Sequence, residues 1–81
     1  MATEFKLTLD DRPGTLARLG GVLGNAGVNV EAIQVMSQGG TSFVQFVPSN
    51  PDKAAHALDA AAIPYTRREV LVVREIGRAH V

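Results

Sequence analysis

Asp10-Asp11-Arg12-Pro13-Gly14-Thr15-Leu16 is the stretch whose reading decides the fold. Before it, Phe5, Leu7 and Leu9 alternate with Glu4, Lys6 and Thr8, the period of two of a half-buried strand over roughly residues 3–9. After it, Leu16, Leu19, Val22, Leu23 and Ala26 recur at spacings of three and four, which predicts a helix over 14–26 with one apolar face. The stretch is therefore a strand-to-helix turn. Free backbone N–H groups and the positive end of the helix dipole meet there, a place where a small anion can bind.

The rest of the chain follows the same two periods. Gly27 suits a left-handed helix stop. Residues 28–36, Val28-Asn29-Val30-Glu31-Ala32-Ile33-Gln34-Val35-Met36, return to β character, with a slip between Ala32 and Ile33 that signals a bulge or burial on both faces. Gly39-Gly40 is a hairpin turn, and Phe43-Val44-Gln45-Phe46-Val47 is the return strand. Asn50 reads as an N-cap with Pro51 at the first helical position and Asp52 in the first turn. Ala54, Ala57, Leu58 and Ala61 give a second helix over 51–61 a weak apolar face, and residues 65–74 form a last strand. The order is β-α-β-β-α-β. With right-handed crossovers and one hairpin, it predicts an α+β, ferredoxin-like domain: a four-stranded antiparallel sheet with two helices on one face. The last two strands read as apolar on both faces, so a partner is expected to cover or extend part of the sheet.

Composition narrows the function. The chain has 81 residues, one small domain, which oligomerisation would help to stabilise. Eight basic residues balance eight acidic ones, which argues against nucleic acid or an anionic membrane as partner. Phe43 and Phe46 lack the basic-aromatic signature of an RNA-binding sheet. There is no cysteine, hence no disulfide, thiolate metal site or cysteine nucleophile. No apolar run approaches the roughly 18 residues of a membrane span, and the N-terminus lacks a signal-peptide core, so a cytoplasmic location is expected. His56 and His80 have no serine or carboxylate in evident relation to them, so no catalytic triad, metal site or cofactor is expected. Arg67-Arg68 reads as a solvated pair.

The candidate ligand residues lie at the two ends of the first helix. In one reading Pro13 and Gly14 shape the turn, the N–H groups of Gly14, Thr15 and Leu16 face a carboxylate, Asp11 pairs with an ammonium, and the Asn29 amide serves the same zwitterion. In the plainer reading Asp11 or Thr15 caps the helix, Arg12 is solvated and Asn29 is a turn residue. Ala17, Gly20, Gly21 and Gly24 form a stripe opposite the leucines, either a close-approach surface or a solvent-facing one.

Asp11-Arg12-Pro13-Gly14-Thr15-Leu16-Ala17 followed by Ala26-Gly27-Val28-Asn29-Val30 resembles the ACT domain, over about residues 3–73. The resemblance implies a non-enzymatic regulatory module of amino-acid metabolism. It implies a homodimer or higher homo-oligomer whose sheets join side by side or whose helices pack, with a small amino acid bound at the subunit interface. By position, Asp11, Arg12, Pro13, Gly14, Thr15, Leu16, Asn29 and Val30 would contact the ligand. The regulated enzyme of amino-acid metabolism would be a separate partner; the alternative is a ligand-free dimerisation module. Two positions depart from the family pattern. Asp11 stands where many amino-acid-binding members have asparagine, and its charge opposes a ligand carboxylate. Ala62 stands where the pattern often has glycine, so a different turn is expected there. Residues 1–74 form the ACT-like domain, and Glu75-Ile76-Gly77-Arg78-Ala79-His80-Val81 falls outside it as a disordered or cloning-derived tail.

Overall fold

The computed structural model describes residues 2–71 and has the expected order: β1 Ala2–Asp10, α1 Thr15–Asn25, β2 Val30–Gln38, β3 Thr41–Pro48, α2 Pro51–Ala60 and β4 Thr66–Val70. The strands form one antiparallel sheet in the order β2-β3-β1-β4, so the ferredoxin-like arrangement holds. The reading of residues 72–74 as strand and of 75–81 as tail lies outside the described residues.

Alternation decides which side chains meet the helices. Phe5 lies opposite Phe46, and Leu7 opposite Val44. All four are buried, and the Phe5 and Phe46 rings stack with centroids 5.3 Å apart. Leu19 and Leu23 of α1 and Ala54, Ala55 and Leu58 of α2 close this core from above. Burying each large side chain contributes roughly 1.5–3 kcal/mol, so this cluster is the main source of stability.

Local signals set the turns. Gly39 and Gly40 have φ of 61° and 80°, the two positive values of a type I′ hairpin. Asn50 caps α2, its side-chain oxygen accepting from the Lys53 N–H at 3.1 Å. The bulge of β2 falls between Val30 and Ala32, one residue before the slip in the sequence pattern.

Four expectations change. Leu16 is 43% exposed and outside the core, because α1 packs on β1 and α2 and leaves its first turn uncovered. Every residue of β2 is exposed on both faces, Ile33 by 59% and Met36 by 56%: neither helix rests on this edge strand. β4 is not apolar on its helix-side face, since Arg67 lies opposite Phe5 and Glu69 opposite Thr3. Arg67 sits 5.4 Å over the Phe5 ring and 3.7 Å from Asp52, Arg68 pairs with Glu4 at 3.1 Å, and Thr3 donates to Glu69 at 2.7 Å, so this basic pair is partnered. Finally, Ala62 keeps the turn that glycine would make, with φ of 58°. The Ile63 N–H bonds to the Leu58 carbonyl and the Ala62 N–H to that of Asp59, a Schellman closure like the one at Gly27.

Candidate functional site

The 10–15 loop is built around one β-turn. The Thr15 N–H donates to the Arg12 carbonyl at 3.3 Å, with Pro13 and Gly14 between them. Gly14 has φ 93° and ψ −19°, the third-position geometry of a type II turn, and Pro13 supplies the preferred second position. Gly14 is also the N-cap, so neither Asp11 nor Thr15 caps α1 through a side chain. The Thr15 hydroxyl instead turns back to the carbonyls of Asp10 (2.6 Å) and Arg12 (3.0 Å). A side chain at Gly14 would meet nothing within 4 Å in this chain; the glycine is required by its φ, not by crowding.

The eight expected ligand residues divide into three groups. Leu16, Asn29 and Val30 come together in a groove of about 380 Å³ between α1 and the start of β2, floored by Gly20, Leu23 and Ile33. Gly20 and Gly24 thus share a groove with the leucines instead of standing opposite them. The Asn29 carbonyl accepts from the Ser49 N–H at 2.8 Å, which fixes the backbone, while its exposed side chain forms no hydrogen bond among the described residues. Arg12 and Thr15 line a different cleft, of about 280 Å³, against β1 and the α2–β4 turn. Asp11 belongs to neither: its N–H donates to the Gly40 carbonyl at 2.9 Å, and its carboxylate accepts from the Ser42 hydroxyl at 3.4 Å. This tie to the hairpin was not legible in the sequence, because it joins residues far apart in the chain. Pro13 and Gly14 are exposed and, like Asp11, line neither cavity.

Among the described residues there is no cluster of three or more potential metal ligands. Among the described residues no helix is long and apolar enough to cross a membrane. His56 is exposed on α2.

The family model for the ACT domain matches residues 3–61, and the chain belongs to this family. No curated protein matches. Solved structures share the fold. A Bacteroides thetaiotaomicron protein superimposes with a TM-score of 0.76 at 22% identity, over 83% of this chain and 46% of its own. The regulatory subunit of aspartate kinase from Thermus thermophilus, in ligand-free form, gives 0.67 at 22% identity, over 84% and 50%. The ACT domain of the GTP pyrophosphokinase of Chlorobium tepidum gives 0.64 at 16% identity, over 84% and 97%. The chain thus spans about half the length of the first and second of these proteins, and nearly all of the isolated domain.

Proposed function

We propose that this chain is a regulatory module that binds a small amino acid at the interface between two copies and passes that state to a separate enzyme of amino-acid metabolism. The observation that carries the reading is the groove under α1. It joins Leu16, just after the turn, to Asn29 and Val30, and it opens onto the uncovered edge strand β2. A nine-residue edge strand with exposed Val30, Ile33, Val35 and Met36 offers unpaired backbone groups and apolar side chains together, the surface that a second sheet edge would join. The Asn29 amide can both donate and accept, as a zwitterion requires. Asp11, anchored to Ser42, stands outside the groove, so its charge does not oppose a ligand carboxylate there. A bridging ligand would favour one arrangement of the two copies, and a partner could respond to that population shift.

Screening the twenty amino acids by thermal shift, with light scattering for mass, tests the reading. One or a few amino acids should raise the melting temperature of a dimer. Asn29→Ala should remove that shift and leave the unliganded melting temperature nearly unchanged, because Asn29 contributes only its backbone to the fold. An intact dimer with no shift for any amino acid would favour a ligand-free dimerisation module, which the same exposed edge supports. A monomer at all concentrations would reject both.

A further inference from the structure

We infer that the cleft on the β4 side of the 10–15 loop is a second site, which takes a carboxylate carried next to an extended amide. It belongs to a single copy of the chain. It shares no lining residue with the groove under α1 and does not depend on the function proposed above.

Charge supplies the first argument. Two guanidiniums, Arg12 and Arg18, and one carboxylate, Asp10, line this cleft. Arg12 pairs with Asp10 at 3.3 Å. Arg18 donates to the Ala61 carbonyl at 3.2 Å and has no carboxylate partner among the described residues. A guanidinium carries five donors in a planar fork that matches a carboxylate, so Arg18 keeps donors for an incoming anion.

The strand edge supplies the second. β4 begins at Thr66, opposite Lys6, and the next outward-facing residue of β1 is Thr8, at the level of Pro64. Pro64 has no N–H to continue the ladder. The Asp11 N–H bonds toward β3, at Gly40, while the Asp10 carbonyl accepts from Thr15 on the opposite side. Residues of a strand alternate in the side to which their N–H and C=O point, so Thr8 presents both groups on the same outer edge as Asp10. No backbone hydrogen bond joins Thr8 to the 61–65 turn.

Thr8, Pro64 and both arginines line this one cavity. An amide laid along the Thr8 edge extends the sheet by one residue, as in strand addition. A ligand running parallel to β1 then brings its terminal carboxylate to the loop end, where the guanidiniums stand. At about 280 Å³ the cleft falls just below the roughly 300–1,000 Å³ of drug-sized ligand sites, room for a single terminal residue. An N-acylated amino acid and the C-terminus of a peptide share this chemistry.

The test is a nuclear magnetic resonance titration of the full chain with N-acetylalanine, following the Thr8 amide and the Arg18 side-chain N–H. Both resonances should move, and N-acetylalaninamide, which lacks the carboxylate, should leave them in place. Arg18→Gln should weaken binding about tenfold or more, the loss expected for a charge-assisted pair. Arg12→Gln serves as a second variant if Arg18→Gln perturbs the spectrum as a whole. Tighter binding of acetyl-Ala-Ala-Ala than of N-acetylalanine would identify a peptide C-terminus as the ligand; equal binding would identify the single residue. Equal shifts with the amide analogue, no shift at tens of millimolar, or no effect of the arginine variants would overturn the inference.

Discussion

Replacing Ala62 by glycine should make this protein more stable. Ala62 has φ of 58°, and no other non-glycine residue among those described has a positive value. An L-residue in the left-handed region costs about 1–2 kcal/mol, because its Cβ crowds the following carbonyl. Glycine removes that strain but adds about 0.5–1 kcal/mol of freedom to the unfolded chain. Ala62 is exposed, so little apolar burial is lost with its methyl group. The net gain is about 0.5–1 kcal/mol. With a urea dependence of about 1 kcal/mol per molar for a chain of this size, the unfolding midpoint should rise by about 0.5–1 M. Gly27 closes α1 with the same pair of backbone bonds, at φ 73°. An added Cβ there would lie 3.9 Å from the Lys53 amine, an ordinary contact. Gly27→Ala should therefore lose what Ala62→Gly gains. Circular dichroism at one fixed protein concentration gives both midpoints, since dimerisation would shift them together. A stability loss in Ala62→Gly, or equal midpoints for wild type and Gly27→Ala, would refute the assignment of strain to these two turns.

Three further outcomes are expected. Tyr65 is the single tyrosine, so alkaline ultraviolet absorbance reports it alone. Partial burial against Phe5, with the Asp59 carboxylate nearby, raises its pKa above the ordinary 10.0. Its neutral form therefore contributes stability that is present below that value and lost as pH climbs through the raised one. The folded midpoint should exceed that of the urea-unfolded chain and fall in Asp59→Asn; a folded midpoint at or below the unfolded one would contradict this. Asn50→Ala removes the cap of α2 and should cost about 1 kcal/mol in urea unfolding, whereas Asn50→Asp should cost little. Phe46→Ala empties the centre of the core and should cost about 3–5 kcal/mol, a large part of the roughly 4–12 kcal/mol available to a chain this short, so its urea midpoint read by circular dichroism should fall by several molar.

The fold was legible because its determinants are local. The alternation of Phe5, Leu7 and Leu9, the helical spacing of Leu19 and Leu23, the Pro13-Gly14 turn, the Gly39-Gly40 hairpin and the Asn50 cap each depend on a few adjacent residues. Backbone geometry restricts such short segments to a small set of conformations. The candidate site was legible only as a list of positions near α1. Sequence spacing could not show that Leu16 joins Asn29 and Val30 while Arg12 and Thr15 turn to another cavity, because that division depends on how α1 seats against β1 and α2.

The sequence by itself determined the order of elements, the Pro13-Gly14 and Gly39-Gly40 turns, the Asn50 cap and the ACT domain pattern. Tertiary structure alone decided which apolar residues became core. Leu16 and Leu23 share a helical period, yet only Leu23 is buried, since α1 and α2 rest on β1 and β3 and leave β2 uncovered. Tertiary structure also held Ala62 in a conformation alanine disfavours, because the Leu58 and Ile63 packing and the closing backbone bonds outweigh about 1–2 kcal/mol of local strain. Periodicity belongs to the segment, whereas burial belongs to whatever the rest of the chain lays over it.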